Sequence, residues 1–114
     1  MEKAAEIFVG IDVSKAWLDI AVHEQADTNR VSNDARGIAK LVTQMQEIKP
    51  DRIVVEPTGG FEMLVVAELA RASLPIVVVN AKRVRDFAKA TGRFAKTDKL
   101  DAKVLAHFAE AIRP

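Results

Sequence analysis

Asp98 and Asp101 stand three residues apart in GRFAKTDKLDA, residues 92–102, within a run otherwise rich in lysine and arginine. Two more acids are out of pattern with their surroundings. Asp12 interrupts EIFVGIDV, residues 6–13, and Glu56 follows the β-branched Ile53, Val54 and Val55. A carboxylate in an apolar strand costs folding free energy unless it is paired, hydrogen-bonded or bound to a cation. Four such acids, from two strand ends and the start of a helix, form the donor set of a hard cation. Mg²⁺ or Mn²⁺ takes oxygen ligands, and no cysteine or histidine cluster competes for a softer metal. Carboxylates gathered in this way can hold two ions about 3.5–4 Å apart, one activating an oxygen nucleophile and the other stabilising the oxygen that leaves a phosphodiester. The chemistry expected of Asp12, Glu56, Asp98 and Asp101 is therefore metal-dependent phosphoryl transfer.

Local rules account for part of this set. Thr97 or Asp98 is a good N-cap, and an acid in the first turn suits the helix dipole. Asp12 could accept backbone N–H bonds in a turn at Ser14-Lys15, and Glu56 could be a strand-end glutamate facing water. Asp101 resists such an explanation. With a helix over residues 98–112, the wheel puts it on the arc of Leu100, Val104, Leu105, Phe108 and Ile112, facing inward, while Lys99, Lys103 and His107 lie opposite.

The substrate expected beside these acids is a polyanion. Net charge is only +1, but residues 1–79 carry −4 and residues 80–114 carry +5. Lys82, Arg83, Arg85, Lys89, Arg93, Lys96 and Lys99 lead into the acid pair with Asp86 as the single acid between them before it. Phosphate-binding charges in that position point to nucleic acid. A solvated helix face is the plainer reading of a charge run, and the one-sidedness of this run argues against it. Other residues carry less. His107 reads as a surface residue and Trp17, the sole tryptophan, as core. Ser14, though near Asp12, has no His or Lys–Asp arrangement to mark it as a nucleophile, and Lys15 is placed to approach a phosphate or a carboxylate. Thr58-Gly59-Gly60 loosely resembles a phosphate cradle, which helix entry explains as well.

The elements that must position these residues follow from the pattern. At 114 residues and 49% hydrophobic, the chain suffices for one packed core, read as a single domain over residues 1–114. Residues 6–13 read as a central strand covered on both faces, residues 17–24 as an antiparallel return and residues 29–32 as a weaker third strand. A helix capped by Asn33 or Asp34 buries Ile38, Leu41, Val42, Met45 and Ile48 and ends at Pro50. Residues 53–56 form a short buried strand stopped by Pro57, Gly59-Gly60 open a helix to about residue 73, and residues 76–79 form a further buried strand. Residues 80–91 read as a basic helix, 92–97 as a loop and 98–112 as the closing helix. No stretch approaches the roughly 20 apolar residues of a membrane span, and MEKAAEIF lacks the pattern of a secretory signal. With no cysteine to need an oxidising compartment, a bacterial-type cytoplasm is expected. The end at AIRP, in the last turn of a helix, gives the expectation of a fragment of a longer protein.

The order β-β-β-α-β-α-β-α-α is a three-strand meander extended by strands joined through helices. Right-handed crossovers make the added strands parallel. The expected class is α/β, with a mixed sheet of about five strands, an antiparallel meander then parallel strands, and helices on both faces. This order resembles the ribonuclease-H-like (RuvC-like) fold. GIDVSK, VEPTGG and NAKRVRDFAKATGRFAKTDKLDA, in that order, resemble the N-terminal domain of the DEDD transposases of bacterial insertion sequences, whose relatives include site-specific DNA invertases and RuvC-like Holliday-junction resolvases. The resemblance runs from about residue 8 to residue 109, and the stretch ending in KTDKLDA is its most specific part. It implies that Asp12, Glu56, Asp98 and Asp101 bind two divalent ions, Mg²⁺ or Mn²⁺, for DNA strand cleavage and exchange. It further implies branched or looped DNA as the partner, a structured guide RNA in some members and a homo-oligomer in the full-length protein. Members of that family continue into a C-terminal domain carrying a nucleophilic serine, so the complete reaction is not expected of residues 1–114 alone. Two other readings compete. A fragment of an actin-like or sugar-kinase-type ATPase would share the topology and the GID start but needs glycine-rich phosphate loops and has no use for the basic run. A noncatalytic nucleic-acid-binding module would have no need of four intact acids.

Overall fold

Alternation along the first strand sets the two sides of the molecule. The computed structural model describes residues 5–92 and 100–114. Its elements are β1 (Phe8–Val13), β2 (Trp17–Val22), β3 (Thr28–Ser32), α1 (Ala35–Ile48), β4 (Arg52–Val55), α2 (Met63–Arg71), β5 (Ile76–Val78), α3 (Ala81–Ala90) and α4 (Ala102–Ile112). The strands form one sheet in the order β3-β2-β1-β4-β5. β1 pairs antiparallel with β2 and β2 with β3, whereas β4 lies parallel to β1 and β5 parallel to β4. This is the meander-then-crossover sheet expected from the order of elements.

Val9, Ile11 and Val13 of β1 join Leu18, Ile20, Ile53 and Val55 in a layer covered by Ile38, Leu41 and Met45 of α1 and Val65 and Leu69 of α2. On the opposite side, Phe8 and Val54 pack against Val84 of α3 and Leu105, Phe108 and Ala109 of α4. Each large apolar side chain buried in these layers contributes about 1.5–3 kcal/mol. Gly10 lies between Phe8 and Asp12 on the α4 side, and a Cβ there would collide with the carbonyl oxygen of Ala102 and the amide of Ala106. The glycine therefore lets the first turns of α4 rest directly on β1, with Ala21, Ala102 and Ala106 filling the narrow space beside it.

Local chemistry fixes the joints. Asp34, one of the two candidate caps, starts α1 by accepting from the Gly37 amide and the Ser32 hydroxyl, each at 2.8 Å. Lys49 closes that helix in the left-handed region at φ 52°, immediately before Pro50. The glycine pair after β4 does not begin α2. Gly59 and Gly60 adopt φ 81° and 123°, and the helix starts only at Met63. Leu100, fully buried, anchors the chain ahead of α4.

Three further expectations are corrected. Trp17 is 45% exposed rather than core, because Leu18 and Ile20 take the α1 side of β2 and alternation leaves Trp17 on the other, beyond the start of α4. β5 is an edge strand of three residues with Val78 47% exposed, so only part of that segment is buried. The closing helix begins at Ala102, not within a continuous helix from residue 98; residues 93–99 lie outside the described residues. Among the described residues, no helix is long and apolar enough to cross a membrane.

Candidate metal and nucleic-acid site

Two strands and one helix start meet at the carboxyl end of the parallel part of the sheet. Phe8, Gly10 and Asp12 share the α4 side of β1, so the helix that Gly10 admits begins beside Asp12. The last parallel pair of β1 and β4 is Ile11 with Val55, which makes Asp12 and Glu56 the next residues on adjacent strands. Parallel neighbours lie about 4.8 Å apart, so the two acids leave the sheet side by side. Both are half-buried.

Asp101 is the correction that matters most. It is exposed and is the N-cap of α4, with extended backbone at φ −112° and ψ 176°, and its Oδ1 accepts from the Val104 amide at 2.9 Å. An N-cap is outside the helix, so the wheel that turned it inward does not apply to it. Capping nonetheless brings it to Asp12. A cleft of about 480 Å³ is lined by Asp12, Asp19, Thr28 and Arg30 from the sheet and by Asp101 and Lys103 from the start of α4. Glu56 does not line this cleft, and Asp98 falls outside the described residues. Among the described residues, no group of three metal-ligating side chains is drawn together. The donors that do line the cleft are carboxylate oxygens, the chemistry a hard divalent cation requires.

Asp19 and Arg30 also line the cleft, and neither breaks the local sequence pattern. Asp19 is the residue opposite Asp12 in the β1–β2 ladder, and Arg30 is opposite Asp19 in the next. Arg30 grips Asp19 with two parallel bonds, Nε to Oδ1 at 2.7 Å and Nη2 to Oδ2 at 3.1 Å, while its guanidinium lies 5.2 Å from the Trp17 ring centre. The bond to Asp19 and then that residue's charge raise the Arg30 pKa above its ordinary value, and the charge of Asp12 adds to the effect. The only sequence signal was the alternation of Trp17, Asp19 and Ala21 opposite Leu18 and Ile20.

Of the seven basic residues, Lys82, Arg83 and Lys89 are exposed on α3 and Arg85 is half-buried; Arg93, Lys96 and Lys99 lie outside the described residues. Val84 and Ala88 bury the opposite face of α3. Asn80 caps this helix by accepting from the Lys82 amide at 2.8 Å, and Lys82 pairs with Asp86 across one turn at 3.6 Å. α3 leaves the same end of the sheet as Glu56, one residue after Val79 binds back to the Val55 carbonyl. His107, exposed as expected, stacks on His23 at 5.2 Å, toward the other end of β1, where the His23 amide bonds the Phe8 carbonyl.

The loop after Glu56 is already filled by an anion of the chain itself. Glu62 Oε1 accepts from the Thr58 amide and hydroxyl, each at 2.9 Å, and from the Gly60 amide at 3.0 Å. The Thr58 amide leads the bonds that lower the Glu62 pKa from 4.5 to about 2. The cradle-like Thr58-Gly59-Gly60 is thus a loop lock, not an open phosphate nest.

The family model described as "Transposase", that of the IS110-type DEDD enzymes, matches residues 9–114. The chain belongs to the DEDD transposase family. No curated protein matches the sequence. Among solved structures, RuvC of T. thermophilus in complex with Holliday junction substrate is similar, with TM-score 0.64 and 12% identity over 95% of this chain and 96% of that one. A Thermus thermophilus RuvC structure gives TM-score 0.61 and 14% identity over 88% and 87%. At these identities the likeness is one of fold: the DEDD transposase domain has the RuvC-like mixed sheet with helices on both sides.

Proposed function

We propose that this DEDD transposase domain performs divalent-metal-dependent cleavage and exchange of DNA strands, with Asp12, Glu56, Asp98 and Asp101 as its metal ligands and the basic residues of residues 82–99 as its DNA contacts. The observation that carries the reading is the meeting of Asp12 and Asp101, from β1 and the cap of α4, in one cleft, with Glu56 leaving the neighbouring parallel strand beside Asp12. Mg²⁺ or Mn²⁺ bound by these carboxylates supplies Lewis-acid activation of an oxygen nucleophile and charge neutralisation at the leaving oxygen. The chain's own residues supply the rest. β1 and β4 fix Asp12 and Glu56 through the core, the capping bond fixes Asp101, and Lys103 adds a positive charge at the cleft wall. Lys82, Arg83 and Lys89 project from α3 to meet the phosphates of the strand. Branched DNA is the proposed partner, as in the complex of the RuvC structural neighbour, and the cell compartment proposed is the bacterial cytoplasm.

The test is a Mn²⁺ titration followed by thermal melting, with and without DNA. Stabilisation of the native chain that disappears in Asp12→Asn, together with DNA affinity that falls with rising salt, supports the reading. A native chain whose melting ignores Mn²⁺, or stabilisation by ATP in its place, refutes it.

A further inference from the structure

The cleft holds two cations beside its carboxylates, and one of them, Arg30, is bonded to Asp19 with donors to spare. Arg30 and Lys103 line it together with Asp12, Asp19 and Asp101, one from β3 and one from α4. Arg30 is held more firmly than a surface arginine needs to be. Asp19 takes Nε and one Nη2 hydrogen, and the Trp17 ring lies against the guanidinium. Trp17 and Asp19 are alternate residues of β2, and the register places Arg30 opposite Asp19 and diagonal to Trp17, so one strand presents both the edge clamp and the face support. A guanidinium has five N–H donors, and the clamp uses two of them. The remaining three belong to a group whose plane is already set, which is the condition under which arginine recognises phosphate with little loss of side-chain freedom.

We infer that Arg30, oriented by Asp19 and Trp17, binds one backbone phosphate of the DNA strand that enters the cleft and so sets which phosphate lies against Asp12. This deepens the proposed function and rests on it. The Asp19–Arg30–Trp17 unit sits on the antiparallel side of the sheet, away from α3, so its contact is separate from those of the basic helix. Exposed Trp17, an anomaly as core, has a role as the stacking support of this arginine.

The experiment measures binding of a branched DNA to the 114-residue chain by fluorescence anisotropy in Mg²⁺, with single methylphosphonates walked along one strand to remove one charge at a time. In the native chain, one position should weaken binding about tenfold. Arg30→Gln should weaken binding to unmodified DNA by a similar factor and show no further loss from that one methylphosphonate, while still losing affinity at the positions read by α3. Asp19→Asn/Arg30→Gln, which removes both charges of the pair, provides the same readout if Arg30→Gln alone folds poorly. Arg30→Lys should recover only part of the affinity. Losses that multiply at every position in Arg30→Gln overturn the inference and leave the metal reading intact, since a mere counter-ion to Asp19 has no coupling to a single phosphate. A native chain that binds no DNA overturns both.

Discussion

Asp12 and Asp19 face each other across the β1–β2 ladder, and Arg30 neutralises Asp19 from the strand beyond. Like charges directly opposite one another in an antiparallel pair are destabilising. The pair with Arg30 removes much of that repulsion and keeps the arginine turned toward Asp19. Asp19→Asn releases Arg30 to act as a counter-ion of Asp12, in competition with a bound cation. We expect its apparent Mn²⁺ dissociation constant to rise about tenfold, or ~1.4 kcal/mol, with the fold retained, measured by calorimetric titration. Unchanged Mn²⁺ affinity would show that Arg30 has no hold on the carboxylate of Asp12.

Asp101 has two roles that substitution can separate. Its Oδ1 caps α4, and its charge is proposed to bind metal. Asparagine caps a helix about as well as aspartate, whereas alanine at an N-cap costs about 0.5–2 kcal/mol. Asp101→Asn should therefore melt close to the native chain without metal yet lose the Mn²⁺-induced rise. Asp101→Ala should lose both. At a free cation concentration of about 100 times the dissociation constant, that rise corresponds to about 2.7 kcal/mol. A full Mn²⁺ response from Asp101→Asn would remove this residue from the metal site.

How far the site could be read from the sequence depended on the kind of signal. The strand acids were legible because each breaks an apolar run: Asp12 after Ile11 and Glu56 after Val55. Sheet order followed from the meander and the crossovers, which leave few topologies open. Asp101 faces the cleft as an N-cap and not on the inward arc of a helical wheel, because the chain enters α4 only at Ala102. Asp19 and Arg30 carry no local anomaly, an acid and a base on half-exposed strands, and only the register makes them a pair. The same holds for Trp17, whose exposure depends on where α4 starts, and for Glu62, whose bonds to Thr58 and Gly60 require the backbone of the loop.

Gly10 sets how close α4 comes to the site. With the carbonyl oxygen of Ala102 and the amide of Ala106 against it, Gly10→Ala forces the helix start away from β1. Overpacking of this kind costs about 1–3 kcal/mol, and more where backbone must move. The expected result is a melting temperature lower by several degrees and a weaker Mn²⁺ response, because the cap at Asp101 moves away from Asp12. A Gly10→Ala chain that melts as the native chain does would mean that α4 can shift freely over the sheet.

Glu62 makes the loop after Glu56 sensitive to acid. Its pKa falls from 4.5 to about 2 in the folded loop, chiefly through the Thr58 amide, so the folded loop favours the charged carboxylate. That contribution is fully present above about pH 4.5 and is lost as pH falls toward 2. The Thr58 and Gly60 amide resonances should therefore move together in that acid range, with a common midpoint near 2. In Glu62→Gln both amides should hold one position across the same range, since a neutral amide oxygen accepts more weakly and does not titrate there. A midpoint near 4.5 in the native chain would show that the loop bonds do not favour the charged Glu62 carboxylate.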